Sequence, residues 1–189
     1  MTATLGGSVG LLDRAIAYTC TQLAGVSPDM LDRPTPCAAW SLGGLLAHME
    51  DALDAFTEAA GGSVSVDCRG CGCAPGPIPA IQAKAVALQS AWSRPAPGDV
   101  VLEASSGRLD LQTTLLVTTA ALEVTVHGWD VGRATGRDAP VPPELAEELL
   151  AAATWLVGPD DRGVRFAAPR PVPADASYDQ RLLGFLGRT

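Results

Sequence analysis

Histidine is nearly absent from this chain: 189 residues contain two, His48 and His127. Aromatic residues make up only 5 % while alanine is abundant, a balance that favours closely packed helices over a sheet. Basic residues number 13 against 21 acidic ones, for a net charge of −8, and they form no run or stripe. That argues against a nucleic-acid surface and, for the same reason, against anionic membranes. No apolar run is long enough to span a bilayer. The first residues, Met1-Thr2-Ala3-Thr4-Leu5-Gly6-Gly7, lack the basic region and apolar core of a signal peptide. The expectation is a soluble, cytoplasmic protein. Five cysteines, Cys20, Cys37, Cys68, Cys71 and Cys73, are odd in number and unevenly spread. They do not form a secreted disulfide framework and suit a reducing compartment.

What is present is helical. The length suits one domain, residues 1–189, with a sizeable hydrophobic core. Apolar residues at helical spacing predict a first helix over 9–24 and a second over 42–60, N-capped by Ser41. Residues 61–78, rich in Gly, Cys, Pro and Ser, read as an irregular loop. A third helix is expected over 79–92, then a small hairpin from 100–104 and 109–111. The fourth helix, 113–135, is the most apolar and ends at Gly136. A fifth over 142–157 leads to a tail with an extended piece at 164–167 and a last helix over 177–186. Together these predict a mainly all-α domain, a four-helix bundle with a small β-hairpin and a short C-terminal extension.

Both histidines fall inside apolar helical stretches. Glu123 lies four residues before His127, so the two project from one helix face and reach a common point. A carboxylate in such a helix costs several kcal/mol unless compensated. A metal ion with His48 as third ligand would compensate it, and two imidazoles with one carboxylate are a recurring set for Zn²⁺ with an open position or for non-haem Fe²⁺. Bundle cores commonly carry such sites. The alternative is a surface Glu–His pair and an unrelated core histidine.

Thr35-Pro36-Cys37-Ala38-Ala39-Trp40-Ser41 followed by Leu45-Leu46-Ala47-His48 resembles a segment of the mycothiol-dependent maleylpyruvate isomerase family. Val126-His127-Gly128-Trp129-Asp130 with Ala134-Thr135-Gly136 is similar to a second segment, and Ala174-Asp175-Ala176 with Arg181-Leu182-Leu183 and Leu186-Gly187-Arg188 to a third, found in the small single-domain, metal-binding branch. The resemblance implies a DinB-like bundle holding a divalent metal, most often zinc, on His48, Glu123 and His127; many relatives carry aspartate where Glu123 stands. It also implies mycothiol as a co-substrate.

Other residues carry weaker signals. Trp40 and Trp129 are read as core anchors rather than substrate contacts. Asp130 and Arg133 are spaced to pair on the helix surface, or Asp130 to orient a liganding histidine. Gly128, within a helix, marks close approach of another backbone or a ligand. Cys37 is read as buried structure. Cys68, Cys71 and Cys73 suit a second metal, a redox pair or an incidental loop.

The leading expectation is a divalent-metal enzyme, with Zn²⁺ ahead of Ni²⁺ or Fe²⁺, that uses a low-molecular-weight thiol to isomerise a small electrophilic metabolite or to transfer the thiol onto it. No catalytic base is assigned, and a homodimer is left open. The rivals are a thiol-independent Lewis-acid hydrolase, lyase or cyclase, and a non-catalytic metal-stabilised binding module.

Overall fold

The computed structural model describes residues 4–37, 40–65, 76–94, 99–104, 107–137 and 139–188. Helix α1 spans Leu5–Leu23. It starts four residues before the expected position because Thr4 caps it, accepting the Gly7 amide at 3.3 Å, which offsets the cost of Gly6 and Gly7 in the first turn. Helix α2 spans Leu42–Ala59 and is capped by Ser41 as its sequence predicts. Helix α3 spans Pro77–Trp92 and α4 spans Thr113–Thr135, where Gly136 takes the left-handed conformation that ends it.

These four helices form the bundle, with α1 running along α4 and α2 packed on both α3 and α4. Leu12, Leu23, Leu42, Leu45, Leu46 and Leu88 are wholly buried between them. Helices α5 (Pro143–Leu156) and α6 (Tyr178–Phe185) pack on each other beside the bundle. No helix among the described residues is long and apolar enough to cross a membrane.

Two expectations are corrected. The hairpin exists, as β2 (Asp99–Ala104) and β3 (Gly107–Gln112), but a third strand, β1 (Ser63–Ser65), pairs parallel to β2. It comes from the segment read as irregular, and so short a strand is defined by its partner rather than by its own pattern. Residues 164–167 do not form an extended piece. The amides of Val164, Arg165 and Phe166 all fold back onto the Asp161 carbonyl, at 3.4, 2.9 and 3.0 Å, and Gly163 supplies the positive φ this turn requires. Cys68, Cys71 and Cys73 lie outside the described residues. Neither Cys20 nor Cys37 is in a disulfide.

The crossing of α1 on α4 fixes the rotation of α4, and with it the site. Gly128 faces Thr19, whose hydroxyl donates to the Val124 carbonyl at 2.8 Å. A Cβ at position 128 would collide with the Thr19 hydroxyl oxygen and stand 2.9 Å from Thr19 Cβ. The neighbour that demands glycine is thus a side chain, neither a backbone nor a ligand. Gly128→Ala is expected to destabilise the protein by about 1–3 kcal/mol despite alanine's better helix propensity, because a β-branched neighbour on a helix has little room to yield. Urea unfolding checks this; an unchanged or raised midpoint would refute the tight crossing.

Candidate metal centre

His48 lies near the start of α2, between core residues Leu45 and Met49, and Glu123 and His127 occupy successive turns of α4 on the face turned toward α2. The packing of α2 on α4 brings all three together, with one ligand atom from each within 4.8 Å of the others. His48 Nε2 stands 2.8 Å from Glu123 Oε1, and His127 Nε2 stands 3.0 Å from the same oxygen. The surface-pair alternative does not describe this geometry, since the His127 side chain is only 8 % exposed and His48 joins the pair.

Trp40 stacks on the His48 ring, centroids 4.3 Å apart and planes 26° from parallel. The turn before it holds the indole in place: Thr35 Oγ1 lies 2.9 Å from the carbonyls of both Cys37 and Trp40, and the Trp40 amide donates to Cys37 at 2.9 Å. Trp129 is a buried core residue as expected, whereas Trp40 belongs to the site. Cys37 is half-buried and lines the same cleft as Trp40 and His48, so its reading as buried structure is corrected.

Asp130 is fully buried rather than on the helix surface. His127 Nδ1 donates to its Oδ2 at 3.1 Å, and Arg188 reaches it from the C-terminus with Nη2 at 3.0 Å from Oδ2 and Nε at 3.4 Å from Oδ1. Arg188 stands in the third segment of the resemblance, but its pairing with Asp130 was not foreseen, because 58 residues separate the two.

Burial works against charge on both Glu123 and His127, but the hydrogen bonds between them overcome it. Those from His127 and His48 hold the Glu123 carboxyl well below the usual carboxylate range. Those to Asp130 and Glu123 push His127 up to about 9. The donor set also passes a chemical test for a cation. With Nδ1–H committed to Asp130, Nε2 of His127 faces a carboxylate oxygen, which is favourable only if Nε2 carries a proton or if a cation lies between them. Two imidazole nitrogens and a carboxylate disposed in this way fit Zn²⁺ or Fe²⁺.

The three residues line an open cleft together with Trp40, Phe56, Leu122, Arg165 and Phe166. Behind Glu123 and His127 lies a smaller, apolar cavity lined by Ile16, Leu23, Met49, Leu53 and Ile81. The cleft wall formed by Arg165 and Phe166 was not foreseen, since it depends on the turn around Asp161.

A family model described as the mycothiol maleylpyruvate isomerase N-terminal domain matches residues 12–69. Two Mycobacterium tuberculosis proteins, the uncharacterized MT0763 of strain CDC 1551/Oshkosh and Rv0738 of strain H37Rv, are each 32 % identical over 169 residues, covering 88 % of this chain and 90 % of theirs. The chain belongs to the mycothiol maleylpyruvate isomerase family. A crystal structure of the mycothiol-dependent maleylpyruvate isomerase shares the fold, with a TM-score of 0.58 over 80 % of this chain and 71 % of that one at 17 % identity. The expected DinB-like bundle is therefore the family fold seen here.

The raised His127 pKa has a consequence for stability. In protein treated with a chelator, its contribution is fully present below about 6.5, the ordinary histidine value, and is lost as pH rises through about 9. Glu123, whose folded pKa is depressed, contributes at every pH above its ordinary value and loses that contribution only in acid. Thermal unfolding between pH 6 and 9.5 is expected to show a midpoint that declines with pH, and His127→Gln should flatten that decline. A midpoint that rises across this window would contradict the hydrogen-bonded triad.

Proposed function

We propose that this protein is a divalent-metal enzyme that uses a low-molecular-weight thiol, mycothiol by family, to isomerise a small electrophilic metabolite or to transfer the thiol onto it, in the cytoplasm. His48, Glu123 and His127 would hold the ion, with Zn²⁺ ahead of Ni²⁺ or Fe²⁺, and residues 1–189 would act as one domain. The observation that carries this reading is the convergence of two imidazole nitrogens and a carboxylate oxygen on the wall of an open cleft. Such an ion supplies Lewis acidity and lowers the pKa of a thiol presented to it.

The chain's own residues supply the rest. Asp130 holds the proton on His127 Nδ1, which keeps Nε2 directed at the site. Trp40 fixes the plane of the His48 ring. Phe56, Leu122 and Phe166 give the cleft apolar walls that displace water from an entering organic substrate. A thiol sulfur adds to the electrophilic carbon of an unsaturated acid; rotation about the resulting single bond and departure of the thiol give isomerisation. Retention of the thiol with protonation of the adjacent carbon gives S-transfer.

Elemental analysis of freshly purified protein is expected to find about one divalent ion per chain, lost in both His127→Ala and Glu123→Gln. The loaded protein should consume an unsaturated acid only when thiol is added, and the variants should not. Metal retained in both variants would move the site to Cys68, Cys71 and Cys73. Turnover that ignores thiol would favour the Lewis-acid alternative, and a stoichiometric ion without turnover would favour a binding module.

A further inference from the structure

Helix α6 ends in a turn that sends the chain back into the bundle. The Arg188 amide donates to the Leu183 carbonyl at 2.8 Å and the Gly187 amide to the Gly184 carbonyl at 3.1 Å, the paired bonds of a Schellman motif. Gly187 takes φ +78, and a Cβ there would stand 2.7 Å from Ala167 Cβ and 2.9 Å from the Ala168 carbonyl. Only glycine satisfies both the backbone angle and the space. The turn directs Arg188 inward, where its side chain is 7 % exposed and donates to both oxygens of Asp130. A third bond, from Nη1 to the Leu186 carbonyl at 3.3 Å, ties the guanidinium to its own turn.

We propose that Arg188 is a positioning residue for the metal centre: by gripping Asp130 at two points it fixes the carboxylate that orients His127, so the C-terminal turn is a working part of the site. This rests on the metal reading above. The physical case lies in the shared oxygen. Asp130 Oδ2 accepts from His127 Nδ1 and Arg188 Nη2 together, and Oδ1 accepts from Arg188 Nε. A carboxylate on a short side chain has freedom about its own bonds; a fork of two guanidinium donors removes it. With Asp130 fixed as an acceptor, the proton of neutral His127 stays on Nδ1 and the Nε2 lone pair faces the cleft. Replacing Asp130 by asparagine alters this in a defined way. Arg188 would retain the amide oxygen, leaving the amide NH₂ toward Nδ1, which favours the tautomer whose proton blocks Nε2.

The test is zinc affinity, measured by competition with a chromophoric chelator, on wild type, Arg188→Ala, Arg188→Lys, Asp130→Asn and Glu123→Gln. Unfolding midpoints are recorded for each. Arg188→Ala and Asp130→Asn are expected to weaken zinc binding by about ten- to a hundredfold, and Arg188→Lys, which keeps the charge but not the fork, by less. Nitrogen-detected NMR of the zinc-free protein supplies a readout that a merely structural role would not move. With two histidines in the chain, the His127 ring should show a protonated Nδ1 in wild type and lose that signature, or show a mixture, in Asp130→Asn. Zinc affinity lost in Glu123→Gln but unchanged in folded Arg188 and Asp130 variants would overturn the positioning role alone. Wild type that binds no zinc, or binding indifferent to Glu123→Gln, would overturn the metal reading and this inference with it. If Arg188→Ala does not fold, Arg188→Lys and Asp130→Asn decide between these outcomes.

Discussion

A carboxylate with no exposure to solvent must be met from more than one side, and the structure depends on how Asp130 is met. Desolvating such a charge costs several kcal/mol, recovered only when hydrogen bonds and opposite charge surround it. One partner, His127, lies on the next turn of the same helix. The other, Arg188, comes from beyond α6. The buried charge thus links the bundle to its C-terminal extension. It also fixes the ring of His127, the residue nearest the bundle core among the three that converge. Packing of α5 on α6 places the turn, but the directional bonds to Asp130 define where the chain must end up.

Around this link, α4 presents a different chemistry to each of three of its neighbours. Toward α1 it presents Gly128, and the helices approach until Thr19 touches backbone. Toward α2 it presents Glu123 and His127, polar groups that His48 meets. Toward the turn after α6 it presents the Asp130 carboxylate. A helix so apolar in sequence is a natural core element, and its ionisable residues Glu123, His127 and Asp130 are all engaged in these directed contacts. A rotation of α4 by a fraction of a turn would break all three sets at once. The tight crossing at Gly128 therefore bears on the candidate site as directly as the residues in it.

Much of this was legible in the sequence where the signal is local. The i, i+4 spacing of Glu123 and His127 and the scarcity of histidine singled out the converging set, and Gly136 and Ser41 marked helix ends by backbone chemistry. What escaped depends on distant segments. Arg188 pairs with a residue 58 positions away, β1 needs β2 to exist as a strand, and the cleft wall at Phe166 needs the Asp161 turn. Asp130 was read both ways because spacing alone cannot tell a surface partner three residues on from a buried one. Trp40 was placed in the core by its residue type, whereas a short turn held by Thr35 brings it onto an imidazole.

Charge explains why the two carboxylates belong together. With His127 protonated, Glu123 and Asp130 are matched by His127 and Arg188, one cation for each anion, and the buried group is neutral. A divalent ion on the proposed ligands displaces that proton, since an imidazole must be neutral to ligate. Two positive charges then replace one, and the group gains a net positive charge where it borders the cleft. That is the sign that favours an anionic sulfur over a neutral thiol. Without Asp130 and Arg188, the same exchange would have no fixed partner for Nδ1, and the ring could satisfy its surroundings by moving its proton to Nε2. The second carboxylate and its arginine hold the imidazole with Nε2 toward Glu123, where a proton or a cation satisfies both groups.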